Sequence, residues 1–313
     1  MTQQFQAPIL SSRPPPADAP QLALDSDRPA QILRFLRDGM RGGTPGALVT
    51  LTQITGGAAR PPGAHMAVLR DGHYSGMVSG GCVEAAVARE ALAALHQGRD
   101  RICRFGQGSP FFDIVLPCGG GIALAIHVLR DLAPLDALLA TLEARRPGAL
   151  DYDPAEQRLL FSTKGRRTGW QEARFQTCYL PEPVILLSGH GLEARQFHAI
   201  ATAAGLRVVA LEPGTAIAGD DSEQAFVLLQ HDLHRELPAL RRALASPAFF
   251  IGCLGSRRTH EERLHLLRAE GYDANQLARI QAPIGLFGPS REARTVAVSA
   301  LAQVLSVLEA RRP

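Results

Sequence analysis

The chain has 313 residues, enough for two domains, and its 46% apolar and 20% charged content is that of an ordinary folded protein. A formal charge of +3, with no basic stripe interleaved with aromatics, argues against nucleic acid as a partner. Five cysteines without short paired spacing, a start (Met1-Thr2-Gln3-Gln4-Phe5) unlike an export signal and the absence of a bilayer-length apolar run predict a cytoplasmic protein without a membrane partner.

In chain order, residues 1–28 contain Arg13-Pro14-Pro15-Pro16 and little periodic apolar content, the composition of a disordered tail. Ile32, Leu33, Phe35 and Leu36 then form a helical stripe that Gly42-Gly43 and Pro45 stop. Residues 47–52 read as a buried strand, and 66–69 and 74–78 as two strands flanking an Asp71-Gly72 hairpin turn. Residues 82–95, rich in Ala, Val, Leu and Glu, have strong helix propensity. Strands over 111–116 and 122–129, joined by a glycine-rich loop, complete a mixed α+β domain over 29–131.

A connector over 132–181 follows, with a helix at 135–145, a hairpin at 152–163 and a strand near 175–180, and Pro181 and Pro183 mark its end. From 182 to 313 the pattern alternates. Strand 184–188, a glycine turn, helix 194–204 and strand 208–211 ending at Glu212 make a βαβ unit of the length expected for a dinucleotide fold. Strands at 226–229 and 248–251 and helices at 237–244, 261–270 and 291–310 extend it into a Rossmann-like, doubly wound parallel sheet.

Four groups of residues carry chemistry. Gly189, Gly191 and Ala194 satisfy a G-x-G-x-x-A spacing after a strand, so the backbone can approach a pyrophosphate at a helix amino end, with Glu212 where a ribose-binding acid would stand. The competing reading is a sheet that keeps the turn without any nucleotide. Cys82 follows Gly80-Gly81 and is read as beginning a helix, where its thiol would ionise more readily and neighbouring amides would attract an anion. Cys118 precedes Gly119-Gly120-Gly121, a loop whose amides can converge on an anion. The alternative for each is a small buried hydrophobe, weaker for Cys82 than for Cys118 and the reading adopted for Cys103, Cys178 and Cys253. Ser256, Arg257 and Arg258, and also His231 and Asp232, fall after strands at the sheet edge where open α/β folds bind ligands. A capped helix start or a surface ion pair to Glu261 or Glu262 would account for some of them. His231 and His234 are too sparse for zinc, and neither a nucleophile elbow nor a kinase set is present.

Three runs together carry a family resemblance. Pro62-Gly63-Ala64-His65-Met66-Ala67-Val68, Gly76-Met77-Val78-Ser79-Gly80-Gly81-Cys82-Val83-Glu84 and Pro117-Cys118-Gly119-Gly120-Gly121 resemble the amino-terminal domain of the XdhC/CoxI family. The carboxyl half is similar in residues 249–260, 277–286 and 297–299. The resemblance implies a chaperone, not an enzyme, that binds molybdenum cofactor, as molybdopterin or its dinucleotide form, and delivers it sulfurated to an apo xanthine dehydrogenase-family molybdoenzyme. It also implies a sulfur donor such as a cysteine desulfurase as a partner, and a homodimer. Cys82 and Cys118 match the family's motif cysteines, so Cys82 would contact molybdenum or its sulfur, while Gly189, Gly191, Arg257 and Arg258 would face the phosphate. A nicotinamide-dependent oxidoreductase using the Rossmann-like domain, or a cofactor-free assembly scaffold, are the alternatives.

Overall fold

The longest pairing in the molecule joins β2 (Gly46–Thr55) to β6 (Gly121–Val128), antiparallel, from Ala47 opposite Val128 to Thr55 opposite Gly121. All eight residues of β6 are buried, which is why it is apolar nearly throughout instead of alternating, and β2 is buried over its first seven residues. The protein is seen in a computed structural model that describes residues 20–107, 119–165, 167–212 and 221–311. The strand expected at 111–116 and Cys118 lie outside the described residues. The chain divides into two units, Met1–Ala140 with Gly148–Tyr179, and Thr141–Pro147 with Leu180–Pro313.

In the first unit, β1 (Gln21–Leu24), β3 (His65–Leu69), β4 (His73–Gly76) and β5 (Arg101–Gly106) join the central pair in a six-stranded sheet ordered β1-β4-β3-β2-β6-β5. β3 and β4 turn antiparallel about Asp71-Gly72, as the turn residues predict. α1 (Pro29–Arg41) buries Ile32, Leu33 and Leu36, and Pro29 at its first turn presets the helical φ. α2 (Glu84–Gln97) packs Val87, Ala91, Ala94 and Leu95 into a core with Val49, Leu51, Leu124 and Ile126. Disorder up to residue 28 is corrected by β1, which pairs parallel with β4. All four of its residues are exposed, so it is held by backbone hydrogen bonds and leaves no apolar periodicity to read.

The stretch read as a connector holds α3 (Ala133–Glu143) and a second, four-stranded antiparallel sheet. Its strands are β7 (Gly148–Asp153), β8 (Arg158–Ser162), β9 (Gly169–Gln171) and β10 (Arg174–Tyr179), in the order β8-β7-β10-β9. The sheet belongs to the first unit, and buried side chains tie the two sheets together. The Tyr179 hydroxyl lies 2.6 Å from Nε2 of His65, and the two rings stack.

The second unit is a five-stranded, all-parallel sheet of β11 (Val184–Ser188), β12 (Arg207–Ala210), β13 (Gln224–Leu228), β14 (Phe250–Cys253) and β15 (Ile280–Gln281). Its order, β12-β11-β13-β14-β15, places the reversal of strand order between β11 and β13. α5 (Leu233–Ala245), α6 (Arg257–Ala269) and α7 (Ala274–Ala278) cover one face with Leu237, Leu240, Leu267 and Leu277, while α4 (Leu192–Ala203) and α8 (Ala293–Ala310) cover the other with Phe197, Ala297, Leu301 and Val304. Two covered faces make the sheet doubly wound, and the expected Rossmann-like architecture holds. One sequence expectation is corrected: α8 is, by length and composition, apolar enough to cross a bilayer. Part of that apolar character belongs to Ala297, Ala300, Leu301 and Val304, which are buried against the sheet.

Candidate functional site

The Cys82 loop leaves β4 at Gly76 and enters α2 at Glu84. Cys82 therefore does not begin the helix, as its sequence neighbourhood suggests; Val83 is the N-cap and the helix starts one residue later. The reason is the buried Glu84 carboxylate, which draws the preceding loop around itself. It accepts the Val78 amide at 3.0 Å, the Ser79 amide at 2.8 Å, the Ser79 hydroxyl at 2.7 Å and the Val83 amide at 3.1 Å. Burial alone would raise its pKa, but the hydrogen bonds from Ser79 and Val78 outweigh it and hold the carboxyl below its ordinary value. Ser79 Oγ in turn accepts the Cys82 and Val83 amides at 3.1 Å each.

This clasp settles which amides remain open. Those of Val78, Ser79, Cys82 and Val83 are committed, so the loop is not a general anion nest. The Gly80 and Gly81 N–H groups make no hydrogen bond among the described residues, and they immediately precede the exposed Cys82. Both glycines have positive φ, 84° and 106°, which any side chain would strain. Nothing lies within 4 Å of a Cβ placed on Gly81, so this side of the loop is open.

Gly119 and Gly120 belong to the same neighbourhood. A Cβ on Gly120 would stand 2.7 Å from the Thr55 carbonyl, and one on Gly80 would stand 3.3 Å from the Ala59 side chain. The loop after β2 is thus flanked by both glycine segments. Gly120 serves this close packing, whereas Gly119, at φ 67°, has open space beside it.

In the second unit the strand-order reversal falls at Ser188 and Leu228, and the turn Gly189-His190-Gly191 begins there. Gly189, at φ 146°, has no room for a side chain: a Cβ would meet the Leu229 carbonyl oxygen at 2.5 Å. That glycine is required by backbone packing, whatever binds. Gly191 is the N-cap of α4 and offers no side-chain cap. Glu193 fills that role with its own carboxylate, whose pKa is lowered chiefly by its own backbone amide and further by His231, 3.4 Å away. The same Oε2 lies 2.9 Å from where a Gly191 Cβ would stand. His190 approaches Glu212 at 3.9 Å. A shallow cleft of about 260 Å³ opens alongside, between Leu192 and Gln196 of α4 and Glu292, Ala293 and Arg294 at the start of α8.

The remaining predicted residues divide between capping and open positions. Asp232 caps α5, accepting the His234 and Arg235 amides at 2.9 and 3.3 Å, and Ser256 caps α6, accepting the Thr259 amide at 3.2 Å. Arg258 pairs with Glu262 at 3.2 Å on the surface, the plainer reading weighed from the sequence. Arg257 is exposed and has no partner among the described residues. The loop they occupy is braced from below by Arg263, whose guanidinium bonds the Leu254 carbonyl at 2.9 Å and the Glu236 carboxylate, both side chains being 1% exposed.

Glu84, Glu193 and Arg263 were not singled out from the sequence. Glu84 stands in the glycine-cysteine motif itself and Glu193 in the glycine turn, so a carboxylate inside a presumed anion loop was the available signal. Arg263 looks like any helix arginine; only its burial distinguishes it. Cys103 and Cys253 are buried as expected; burial pushes the Cys103 thiol up to about 11 and raises that of Cys253 further. Cys178 is half-buried. No cluster of three or more His, Cys, Asp and Glu side chains able to hold a metal occurs among the described residues.

These features define a class: a two-unit α/β protein with a glycine-cysteine loop unit followed by a Rossmann-type unit. Residues 40–106 match the model of the XdhC and CoxI family, and residues 185–304 match that of the XdhC Rossmann domain. The chain belongs to the XdhC and CoxI family. It is 47% identical over 290 residues to the molybdenum cofactor insertion chaperone PaoD of Escherichia coli (strain K12), covering 92% of this chain and 91% of that one. It is 25% identical over 269 residues to the uncharacterized protein YqeB of the same organism, covering 84% of this chain and 43% of YqeB. A crystal structure described as a xanthine dehydrogenase from Bacillus halodurans superposes with a TM-score of 0.68 at 17% identity, over 90% of this chain and 96% of that one. At that identity the likeness concerns the fold alone.

Proposed function

We propose that this chain is a molybdenum cofactor insertion chaperone: it shelters the cofactor and hands it to an apo molybdoenzyme of the xanthine dehydrogenase kind. The observation that carries the reading is the Cys82 loop, an exposed thiol that follows two open glycine amides on a backbone clasped by Glu84. A soft thiol suits the molybdenum or sulfur end of an anionic metallopterin, and free amides suit its oxygen atoms. The loop meets this chemistry with few other contacts, as release demands: a cargo held by one sulfur and two amides can be passed on. Gly119 and Gly120 extend the same neighbourhood. The extensive match to a protein named for this activity supports the reading.

In the Rossmann unit the exposed Arg257 is proposed to bind a phosphate group, whereas the turn at Gly189 and Gly191, with His231 engaged by Glu193, is closed to one. Sulfuration of the cofactor before transfer, a cysteine desulfurase or similar sulfur donor, and a homodimeric state complete the proposal. The nicotinamide oxidoreductase reading is disfavoured by Glu193, whose carboxylate stands where the cofactor's pyrophosphate would bind. The test is metal and pterin analysis of the freshly isolated protein and of Cys82→Ala. Molybdenum and pterin in the wild type, lost from the variant, are expected. Undiminished cargo in Cys82→Ala would remove this role from Cys82, and a cargo-free wild type in stable complex with another protein would favour an assembly scaffold.

A further inference from the structure

Far along the first unit from the glycine-cysteine loop in sequence, a cleft of about 370 Å³ opens between the start of α3 and the edge strand β8. That is near the lower end of the range for small-molecule sites, roughly 300–1,000 Å³. One wall is His127, at the end of β6 and 5% exposed. Its Nδ1 lies 2.6 Å from the Asp100 carboxylate, itself 4% exposed at the side chain. Asp100 also accepts the Tyr152 hydroxyl at 3.0 Å, the Val128 amide at 3.0 Å and Arg130 at 3.0 Å. Burial would raise its pKa, but His127 and these donors keep it low and therefore ionised.

An ionised carboxylate accepts, so Nδ1 carries a proton toward Asp100 and Nε2 is left as the ring's second polar atom. That nitrogen has no partner among the described residues. A buried histidine, oriented by a carboxylate that is itself held by three further donors, with its second nitrogen open toward a cleft, is more than core packing requires. In the lining contributed by β8, Arg158 is exposed and unpaired among the described residues, whereas Arg130 is already spent on Asp100, the Gly98 carbonyl and Gln157. Asp131, the one acid in the lining, is turned to cap α3, accepting the Ala133 amide at 2.9 Å. Between these poles the surface is apolar, from Pro134 and Ala137 on α3 and from Leu160 and Phe161 on β8.

We propose that this cleft binds a small hydroxy-carboxylic acid with an apolar body, its hydroxyl hydrogen-bonded to Nε2 of His127 and its carboxylate accepting from Arg158. A ring nitrogen without a partner selects a hydroxyl, an unpaired guanidinium selects a carboxylate, and the apolar lining selects an apolar spacer. The site is independent of the cargo loop, so its occupancy does not rest on the chaperone reading.

The test is calorimetric titration of the full chain with 4-hydroxybenzoate, and with benzoate and phenol, which each lack one polar group. 4-Hydroxybenzoate is expected to bind, and benzoate and phenol each about tenfold more weakly, the worth of one good hydrogen bond. Arg158→Gln, at an exposed position, should weaken 4-hydroxybenzoate by about tenfold or more. Ala137→Leu should abolish binding by filling the cleft, with unchanged circular dichroism showing that the fold persists. No heat at 10 mM ligand (an order-of-magnitude ceiling of about −2.7 kcal/mol), or unchanged affinity in either variant, would overturn the proposal.

Discussion

The Glu84 carboxylate holds Ser79 twice, at the amide (2.8 Å) and at the hydroxyl (2.7 Å), and so closes the loop that presents Cys82. One buried acid thereby sets the shape of a segment whose chemistry lies at another residue. Replacing it by glutamine keeps the size but puts a donor where four donors converge. Glu84→Gln is expected to cost about 2 kcal/mol of stability and to lower cargo retention, read by urea unfolding and metal analysis of one preparation. Its charge also matters in acid: the folded carboxyl is held low, so its stabilisation is present at neutral pH and lost as pH falls through the folded value.

Cys82, in contrast, is exposed and packs against nothing that depends on it. Cys82→Ser should change stability by less than about 0.5 kcal/mol while reducing bound molybdenum about tenfold or more. A melting temperature equal to wild type together with depleted metal is the signature. A variant that melted much lower would show the thiol to be structural.

The buried His65 makes a sharper pH prediction. Burial pushes its pKa down to about 4, and Nδ1 faces Thr50 Oγ1 at 3.1 Å while Nε2 faces the Tyr179 hydroxyl at 2.6 Å. In the unfolded chain it takes up a proton below about 6.5; in the folded chain it does so only below about 4. The unfolded state therefore binds more protons in that window. The contribution is complete above the upper value and disappears as pH falls to the lower one, a loss of roughly 3 kcal/mol. Urea midpoints between pH 7.5 and 4.5 should show the fall, and His65→Gln should flatten it (sampling points on the order of the two pKa values).

Gly189 and Gly81 separate backbone need from ligand need. At Gly189 a methyl group would strike the Leu229 carbonyl and force an unfavourable φ, so Gly189→Ala should destabilise the cargo-free protein by at least about 2 kcal/mol. At Gly81 there is strain but no collision, and the cost should be about 1 kcal/mol. Thermal melts of both variants, cargo-free, give the comparison.

Glu193 predicts the nucleotide behaviour of the second unit. With its carboxylate over Gly191, the wild type should bind NADH weakly. Glu193→Gln removes the like charge and should tighten binding of a pyrophosphate-bearing nucleotide about tenfold, measured by fluorescence titration. Tight NADH binding by the wild type would restore the oxidoreductase reading.

The second sheet shows why parts of the fold escaped sequence reasoning. The β7–β8 hairpin and β10, whose burial alternates, were legible, but β9 has three residues and the order β8-β7-β10-β9 rests on pairings that local pattern does not encode. β1 was missed for a related reason, since its pairing with β4 uses only backbone. Pro238 hid the first turn of α5, because a proline near a helix start reads as a boundary. In the site, the glycines and Cys82 announced themselves by type and spacing. Which of their amides stay free depended on Glu84, and that assignment needs coordinates.

Sequence alone determined the two-part organisation, the alternating strands and helices of residues 182–313 and the family motifs, because apolar periodicity, turn residues and glycine spacing are local properties. Tertiary structure decided which polar groups are spent. Asp232 and Ser256 became helix caps, Gly189 a packing requirement, Glu193 an occupant of the presumed anion site, and the Asp100–His127 pair a buried, oriented donor–acceptor unit beside a cleft. The physical reason is that a hydrogen bond or a burial joins residues distant in the chain, and a one-dimensional pattern does not record its partner.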